Sequence, residues 1–275
     1  MKLRFRVLGS GSSGNATLVE GGGTRLLIDA GLGPRVLAQR LKEAGVEPDC
    51  LDAVLLSHEH GDHARGAARF SGKWGVPLAG SRGTYAAAGL GAEQIAGYAV
   101  LVPGTPYQVG ALRVQSVAVP HDAAEPLAFV VSLNGTALGH VTDVGHVDAT
   151  LADAFLACDT VLIESNYDPG LLRDGPYPWA LKERIYGPHG HLSNSDVARY
   201  LTRGLGSICR TVVLAHLSRK NNHPELCRMA AEQALDRAGR GEVRVELSTP
   251  EGLGWLPVAA PEEPLDPGRA QLELW

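Results

Sequence analysis

The chain has little of what an oxidising or membrane setting would demand. Its 275 residues include only four cysteines, Cys50, Cys158, Cys209 and Cys227, with no C-x-x-C pair among them. That spacing argues against both a disulfide framework and a zinc ribbon and fits a reducing cytosol. No apolar run approaches the roughly 18 residues of a membrane span. The opening MKLRFRVLGSGSSGN also lacks the apolar stretch of a secretory leader, so a soluble cytoplasmic protein is expected. Positive charge is not in excess, since 25 Lys and Arg against 30 Asp and Glu leave a net −5. Any affinity for nucleic acid must therefore come from a local basic patch or from bound metal. Aromatic residues make up only 5%, whereas 34 glycines point to many turns and close backbone approaches. The glycine-rich GSGSSGN at 9–15 lacks the Gly-Lys-Ser/Thr ending of a Walker A loop, which argues against nucleoside triphosphate binding.

What is present is a 44% hydrophobic content, enough for a substantial core. It is arranged in short apolar runs: LRFRVLG, NATLVE and TRLLIDAG read as a meander of three strands. PRVLAQRLKEAG reads as a helix, with Pro34 in its first turn and Gly45 at its stop. DAVLLS at 52–57 reads as a buried strand, followed by a helix over ARGAARFSGKWG. The stretch from 97 to 141 is rich in strands, and TVLIES and TVVLAH read as central strands, with helices near 194–203 and 224–239. This alternation predicts a layered α/β sandwich with no evident internal repeat, a single domain over 1–257 and a Pro- and acid-rich tail over 258–275.

The apolar runs share a manner of ending. DAVLLS ends in His58, ALRVQSVAVP in His121 and Asp122, TALGHVT in Asp143, and TVVLA in His216. Ligands collect where strand ends converge, so these four ends predict one site. The hexad His58 to His63 concentrates it further, with three imidazoles and two carboxylates in six positions. Imidazole nitrogen and carboxylate oxygen suit borderline cations such as Zn²⁺ and Mn²⁺. Alternation aims His58 and His60 one way and lets Asp62 and His63 turn another, so the loop can serve two cations with Asp143 between them. Such a pair holds a bridging hydroxide as nucleophile, and the chemistry indicated is hydrolysis. Glu59 is expected to face solvent or a backbone amide, and His140, His146, His189 and His223 are read as ordinary core or surface histidines.

LLIDAG, HEHGDH, the lone His121, TDVG and LAHLS resemble the metallo-β-lactamase superfamily. GSGSSGN, PHDAAEP, IESNYD, YPWALKERI, GHLSN and AHLSRKNN extend the resemblance to its YycJ/WalJ-like exonuclease branch, from residue 3 to about 256. The resemblance implies an αββα sandwich. It also implies one metal on His58, His60 and His121, a second on Asp62, His63 and His216, with Asp143 bridging. Asp29 would support the ligand loop, Asp62 would take part in catalysis, and His191 would contact the scissile phosphate and protonate the leaving oxygen. The implied activity is a 5′ to 3′ DNA exonuclease with two divalent cations, Mn²⁺ or Zn²⁺, as cofactor; the sequence does not distinguish a monomer from a homodimer. The chain departs from its relatives at His146, where they often carry tyrosine.

Ser12, Ser13, Asn15, Asn166, Lys220 and Asn222 are the expected substrate contacts, with Tyr167 near the cleft. Arg65, Arg69, Lys73, Arg219 and Lys220 flank the ligand segments and can guide a phosphate backbone. A small cyclic phosphodiester is the alternative substrate. A thioesterase lacks support because no helical substrate domain follows LAHLS. The 73 positions between Asp143 and His216 leave no room for a β-CASP insertion. His60, where di-iron oxidoreductases carry a carboxylate, disfavours that class, and the complete ligand set disfavours a mere binding module.

Overall fold

Period-two alternation in the apolar runs sends their side chains to two different cores, and this sets the layers. The computed structural model describes residues 2–259. Strands β1 (Arg4–Gly9), β2 (Ala16–Gly21), β3 (Thr24–Ile28), β4 (Ala53–Leu55), β5 (Leu78–Gly80) and β6 (Tyr98–Val100) form a first sheet. The second comprises β7 (Pro106–Val109), β8 (Leu112–Ala118), β9 (Leu127–Leu133), β10 (Thr136–Val141), β11 (Thr160–Glu164), β12 (Thr211–Ala215) and β13 (Arg244–Leu247). β14 (Leu253–Pro257) returns to the first sheet beside β1, so each sheet has seven strands among the described residues. In both sheets an antiparallel meander leads into three parallel strands, β4–β6 in one and β11–β13 in the other.

Leu26, Ile28 and Leu55 of the first sheet face Leu138, Leu162 and Val213 of the second in the core between them. The alternate residues Leu27 and Val54 pack outward against helices α1 (Pro34–Glu43) and α3 (Ala67–Trp74). One-turn α2 (Gly61–Ala64) lies before α3, and α4 (Arg82–Ala87) follows β5. On the far face, Val161, Ile163, Val212 and Leu214 pack against α5 (Ala149–Phe155), α8 (Asn194–Arg203) and α9 (Pro224–Arg237). The four layers are the αββα order expected. Between β11 and α8 the chain adds a helical hairpin, α6 (Pro169–Asp174) and α7 (Trp179–Tyr186).

Helix boundaries follow local chemistry. α1 begins on Pro34, and Gly45 at φ +79° turns the chain just past its end. Ser193 caps α8 in a reciprocal box with Asp196. Val258, the first residue past the expected end of the domain, is buried in the core between the sheets. Residues 260–275 lie outside the described residues. No described helix is long and apolar enough to cross a membrane.

Candidate metal centre

The strand ends converge at one edge of the sandwich, and the backbone there is forced. Among the described residues four non-glycine residues have left-handed φ, and three of them stand at strand ends in this region: Asp29 (63°), Asp143 (58°) and His216 (55°). Each costs of order 1–3 kcal/mol. Each sits just past the last residue or two of β3, β10 or β12 and turns the chain sharply out of its sheet. Asp29 accepts from Ser57 N at 2.8 Å and Ser57 Oγ at 2.9 Å, tying the start of the hexad to the end of β3. α2 then seats against the Asp29-Ala30-Gly31 turn. A Cβ on Gly31 would lie 1.6 Å from Asp62 O, so only glycine fits.

The anchoring of the imidazoles follows one pattern. Nδ1 of His63 donates to Asp29 at 2.8 Å, Nδ1 of His58 to Ser57 Oγ at 3.0 Å and Nδ1 of His121 to Gly190 O at 3.0 Å. Nδ1 of His191 and of His216 both lie 2.7 Å from Glu164 Oε1. With Nδ1 held, Nε2 is the atom left to point inward. Three groups of candidate ligand atoms result, each within 4.8 Å: His58, His60 and His121; Asp62, His63, Asp143 and His216; and Asp143, Glu164, His191 and His216. Asp143 belongs to two of them. His58 Nε2, His121 Nε2, His216 Nε2 and Asp143 Oδ2 are buried and form no well-directed hydrogen bond, their close neighbours being other charged or ligand-type atoms such as His63 Nε2 beside Asp143 Oδ2. Orphaned buried polar atoms are rare and costly. Four of them among convergent imidazoles and carboxylates fit a divalent cation.

The electrostatics agree with a site that collects positive charge. Burial opposes ionisation of Asp143, yet His216 and His63 hold its carboxyl well below the usual range. Burial likewise opposes Glu164, and His191 and His216 bring it down to about 2. Burial would lower His63 and His191, but Asp143 with Asp29 raises the former, and Glu164 with Asp143 the latter, each to about 10. His58 is lowered well below its ordinary value, chiefly by burial and then by His63. Carboxylates thus hold protons on imidazoles where a cation can take their place.

Of the other expected residues, Ser12, Asn166 and His191 line a cleft of about 170 Å³ beside the cluster, together with Tyr177, Arg184 and Ser218. Lys220 is exposed, with Nζ 5.7 Å from the Tyr177 ring centre. Ser13 is exposed, and its carbonyl accepts from Arg65, whose guanidinium also holds Gly31 O; Arg65 is thus a loop brace. Two expected substrate contacts are turned inward instead. Asn15 is buried, accepting from Gly11 N at 2.8 Å and standing 2.9 Å from His63 Nε2. Asn222 is buried in bonds to Asn194 and Ser165 O. Lys73 lies beside Trp74 in a groove it shares with Arg35 and Lys42 of α1. Glu59 accepts from Ala124 N, as expected of it. Glu164 and Ser57 were missed. Glu164 ends β11, so the strand-end rule that picks out His121 and Asp143 also reaches it.

The chain matches the model of the metallo-beta-lactamase superfamily over residues 9–201. It is 35% identical over 242 residues to exodeoxyribonuclease WalJ of Streptococcus pneumoniae, covering 86% of this chain and 90% of that protein. It is 33% identical over 247 residues to exodeoxyribonuclease YycJ of Bacillus anthracis, covering 88% and 92%. Among solved structures, the fold protein YhfI of Bacillus subtilis superposes with a TM-score of 0.71 at 18% identity, over 93% of this chain and 99% of that one. At that identity the likeness is one of fold.

Proposed function

The chain belongs to the metallo-beta-lactamase superfamily, and from that premise we propose that it is a metal-dependent phosphodiesterase that removes nucleotides from DNA ends in the 5′ to 3′ direction. The observation that carries this reading is the set of buried Nε2 and Oδ2 atoms that face one another beside His191 without a well-directed hydrogen bond. That the relatives at 33–35% identity are named exodeoxyribonucleases supports DNA as the substrate.

His58, His60 and His121 would hold one cation and Asp62, His63, Asp143 and His216 a second, with Asp143 Oδ2 also 4.0 Å from His58 Nε2. Bound there, divalent cations neutralise phosphate charge and ready a water molecule for attack. The chain's own residues do the rest. Asp62, 25% exposed, keeps its carboxylate ionised because His216 and His63 outweigh its burial, and it orients the attacking water. His191, 21% exposed at the cleft, is held protonated by Glu164 and Asp143. It gives the proton at Nε2 to the leaving 3′ oxygen. Asp29 and Glu164 fix the imidazoles that must not rotate.

The purified protein with Mn²⁺ and a duplex labelled at one 5′ end should release labelled mononucleotide first, and a 3′ label should appear last. EDTA should stop release. The variant Asp62→Ala should lower turnover by about a thousandfold or more while retaining the native circular dichroism spectrum. Hydrolysis of bis-p-nitrophenyl phosphate with no release from single strands, duplexes or recessed ends, with Mn²⁺, Zn²⁺ or Co²⁺, would replace this reading with a small-phosphodiester hydrolase.

A further inference from the structure

The cleft beneath α7 carries chemistry that the hydrolytic cluster does not use. Arg184 Nε donates to Asp122 Oδ2 at 2.6 Å, and Asp122 Oδ1 lies 3.2 Å from His121 Nε2. The guanidinium is therefore pinned two contacts away from a candidate ligand atom. One of its five N–H groups is spent on Asp122, and its Nη atoms make no hydrogen bond among the described residues. The side chain is 58% exposed, and besides Asp122 the charges of Asp143 and Asp62 reach it. An arginine so placed faces the cluster with its fork open, the geometry that takes two oxygens of a phosphate.

The wall that carries it is braced from behind. Lys182 Nζ of α7 donates to Arg173 O of α6 at 2.7 Å, Tyr186 OH to Pro169 O at 3.0 Å, and Ile185 and Leu172 are buried between the helices and Tyr167. Tyr177, at the turn of this hairpin, lines the same cleft, with Lys220 Nζ 5.7 Å from its ring centre. A ring with a cation beside it is a platform on which any base can stack. At about 170 Å³, the cleft is below the roughly 300–1,000 Å³ of pockets for whole drug-sized ligands. It has room for part of one nucleotide.

We propose that this cleft seats the nucleotide next to the scissile phosphate, Arg184 holding its phosphate, Tyr177 stacking on its base, and Asp122 acting as the positioning residue for Arg184. The assignment rests on the phosphodiesterase reading and goes beyond it, because it states which part of the strand is gripped and by what. The phosphate is either the next diester along the strand or a terminal monoester, and the two are separable by experiment.

The test uses the full chain with Mn²⁺ and single-stranded oligonucleotides bearing a 5′-phosphate or a 5′-hydroxyl. Arg184→Ala should raise KM at least tenfold with kcat within about threefold, and Arg184→Lys should recover part of the loss. Its loss of kcat/KM on the oligonucleotide should exceed its loss on bis-p-nitrophenyl phosphate, which has no neighbouring phosphate, at least fivefold. Binding of a phosphorothioate strand should lose about 0.7 from the slope of log Kd against log salt, the share of one phosphate contact on a single strand. Tyr177→Phe should bind as the parent does, and Tyr177→Ala should bind several-fold more weakly. A penalty confined to the 5′-phosphorylated strand assigns Arg184 to the terminal monoester, and an equal penalty on both strands assigns it to the internal diester. An unchanged KM and salt slope in Arg184→Ala, with only a lower Tm, overturns the proposal and leaves the bridge to Asp122 a structural pin. A parent protein that cleaves no nucleic acid overturns the nuclease reading, and this proposal with it.

Discussion

Asp29, Asp143 and His216 take a backbone conformation that L-residues avoid, and each carries a side chain that the cluster uses. Strain concentrated at strand ends is tolerated where neighbouring bonds over-determine it, and here Ser57, His63 and Glu164 supply those bonds. Glu164 is the residue on which two imidazoles depend. Glu164→Gln keeps the shape and removes the charge. His191 then loses the main opponent of its burial and its pKa falls. Turnover should drop about 10- to 100-fold, with the alkaline limb of the kcat profile moved to lower pH, measured by initial rates across pH 6–10 at matched metal content. His140 makes a different contribution. It is buried against Thr17, and burial, with His63 adding to it against Asp29, lowers it to about 4. Between that value and an unfolded value near 6.5 the unfolded chain binds the extra proton, so stability is complete above about pH 6.5 and declines as pH falls toward 4. The decline attributable to this one group is about 3 kcal/mol. His140→Gln should flatten that part of the curve, as read by urea unfolding in EDTA at pH 7 and pH 4.5.

At the scale of elements, period-two runs make the strands legible because each strand faces one core on either side, and Leu27 and Leu26 need no third possibility. Pro34, Gly45 and Ser193 mark helix limits through local chemistry that a sequence displays directly. The ligands His58, His60, Asp62 and His63 are legible because they are crowded into one turn, and His121, Asp143 and His216 because they interrupt apolar runs. Glu164 interrupts a run as well, but IESNYD offers Asn166 and Tyr167 as more conspicuous polar neighbours. Asn15 and Asn222 look like free polar groups in sequence because their partners, Asp62, His63 and Ser165, are 47, 48 and 57 residues away. Seating α2 against the Asp29 turn depends on a missing side chain. Gly31→Ala drives a Cβ into Asp62 O and should displace α2 as a unit, carrying Asp62 and His63 with it. The expected cost is roughly 1–3 kcal/mol. The bound metal measured by elemental analysis should fall, with the far core of α5, α8 and α9 undisturbed.

Across the whole molecule the two sheets follow one plan that no sequence repeat advertises. Each meander ends in Asp-x-Gly with a left-handed aspartate, Asp29-Ala30-Gly31 after β3 and Asp143-Val144-Gly145 after β10. Packing demands only apolar residues at alternating positions, so the shared plan is carried by topology. The consequence lies at the joint. The first sheet supplies His58, His60, Asp62 and His63, the second supplies His121, Asp143 and His216, and the Asp143 contact to His63 crosses between them. A cation seated there ties both halves of the native state and has no counterpart site in the unfolded chain, so its binding free energy adds to stability. At a free metal concentration of about 100 times Kd the gain is about 2.7 kcal/mol. For a chain of this size that corresponds to roughly 5–10 °C in Tm. Mn²⁺ or Zn²⁺ titrated into chelator-treated protein should raise Tm along a saturable curve, and EDTA should reverse it. Asp143→Asn weakens both candidate groups that share Asp143 and should remove most of the shift. His189→Ala changes an exposed histidine outside all three groups and should leave it intact. A Tm indifferent to metal in the parent protein would mean that the two sheets are locked without the cation and that the orphaned atoms at their joint are satisfied in another way.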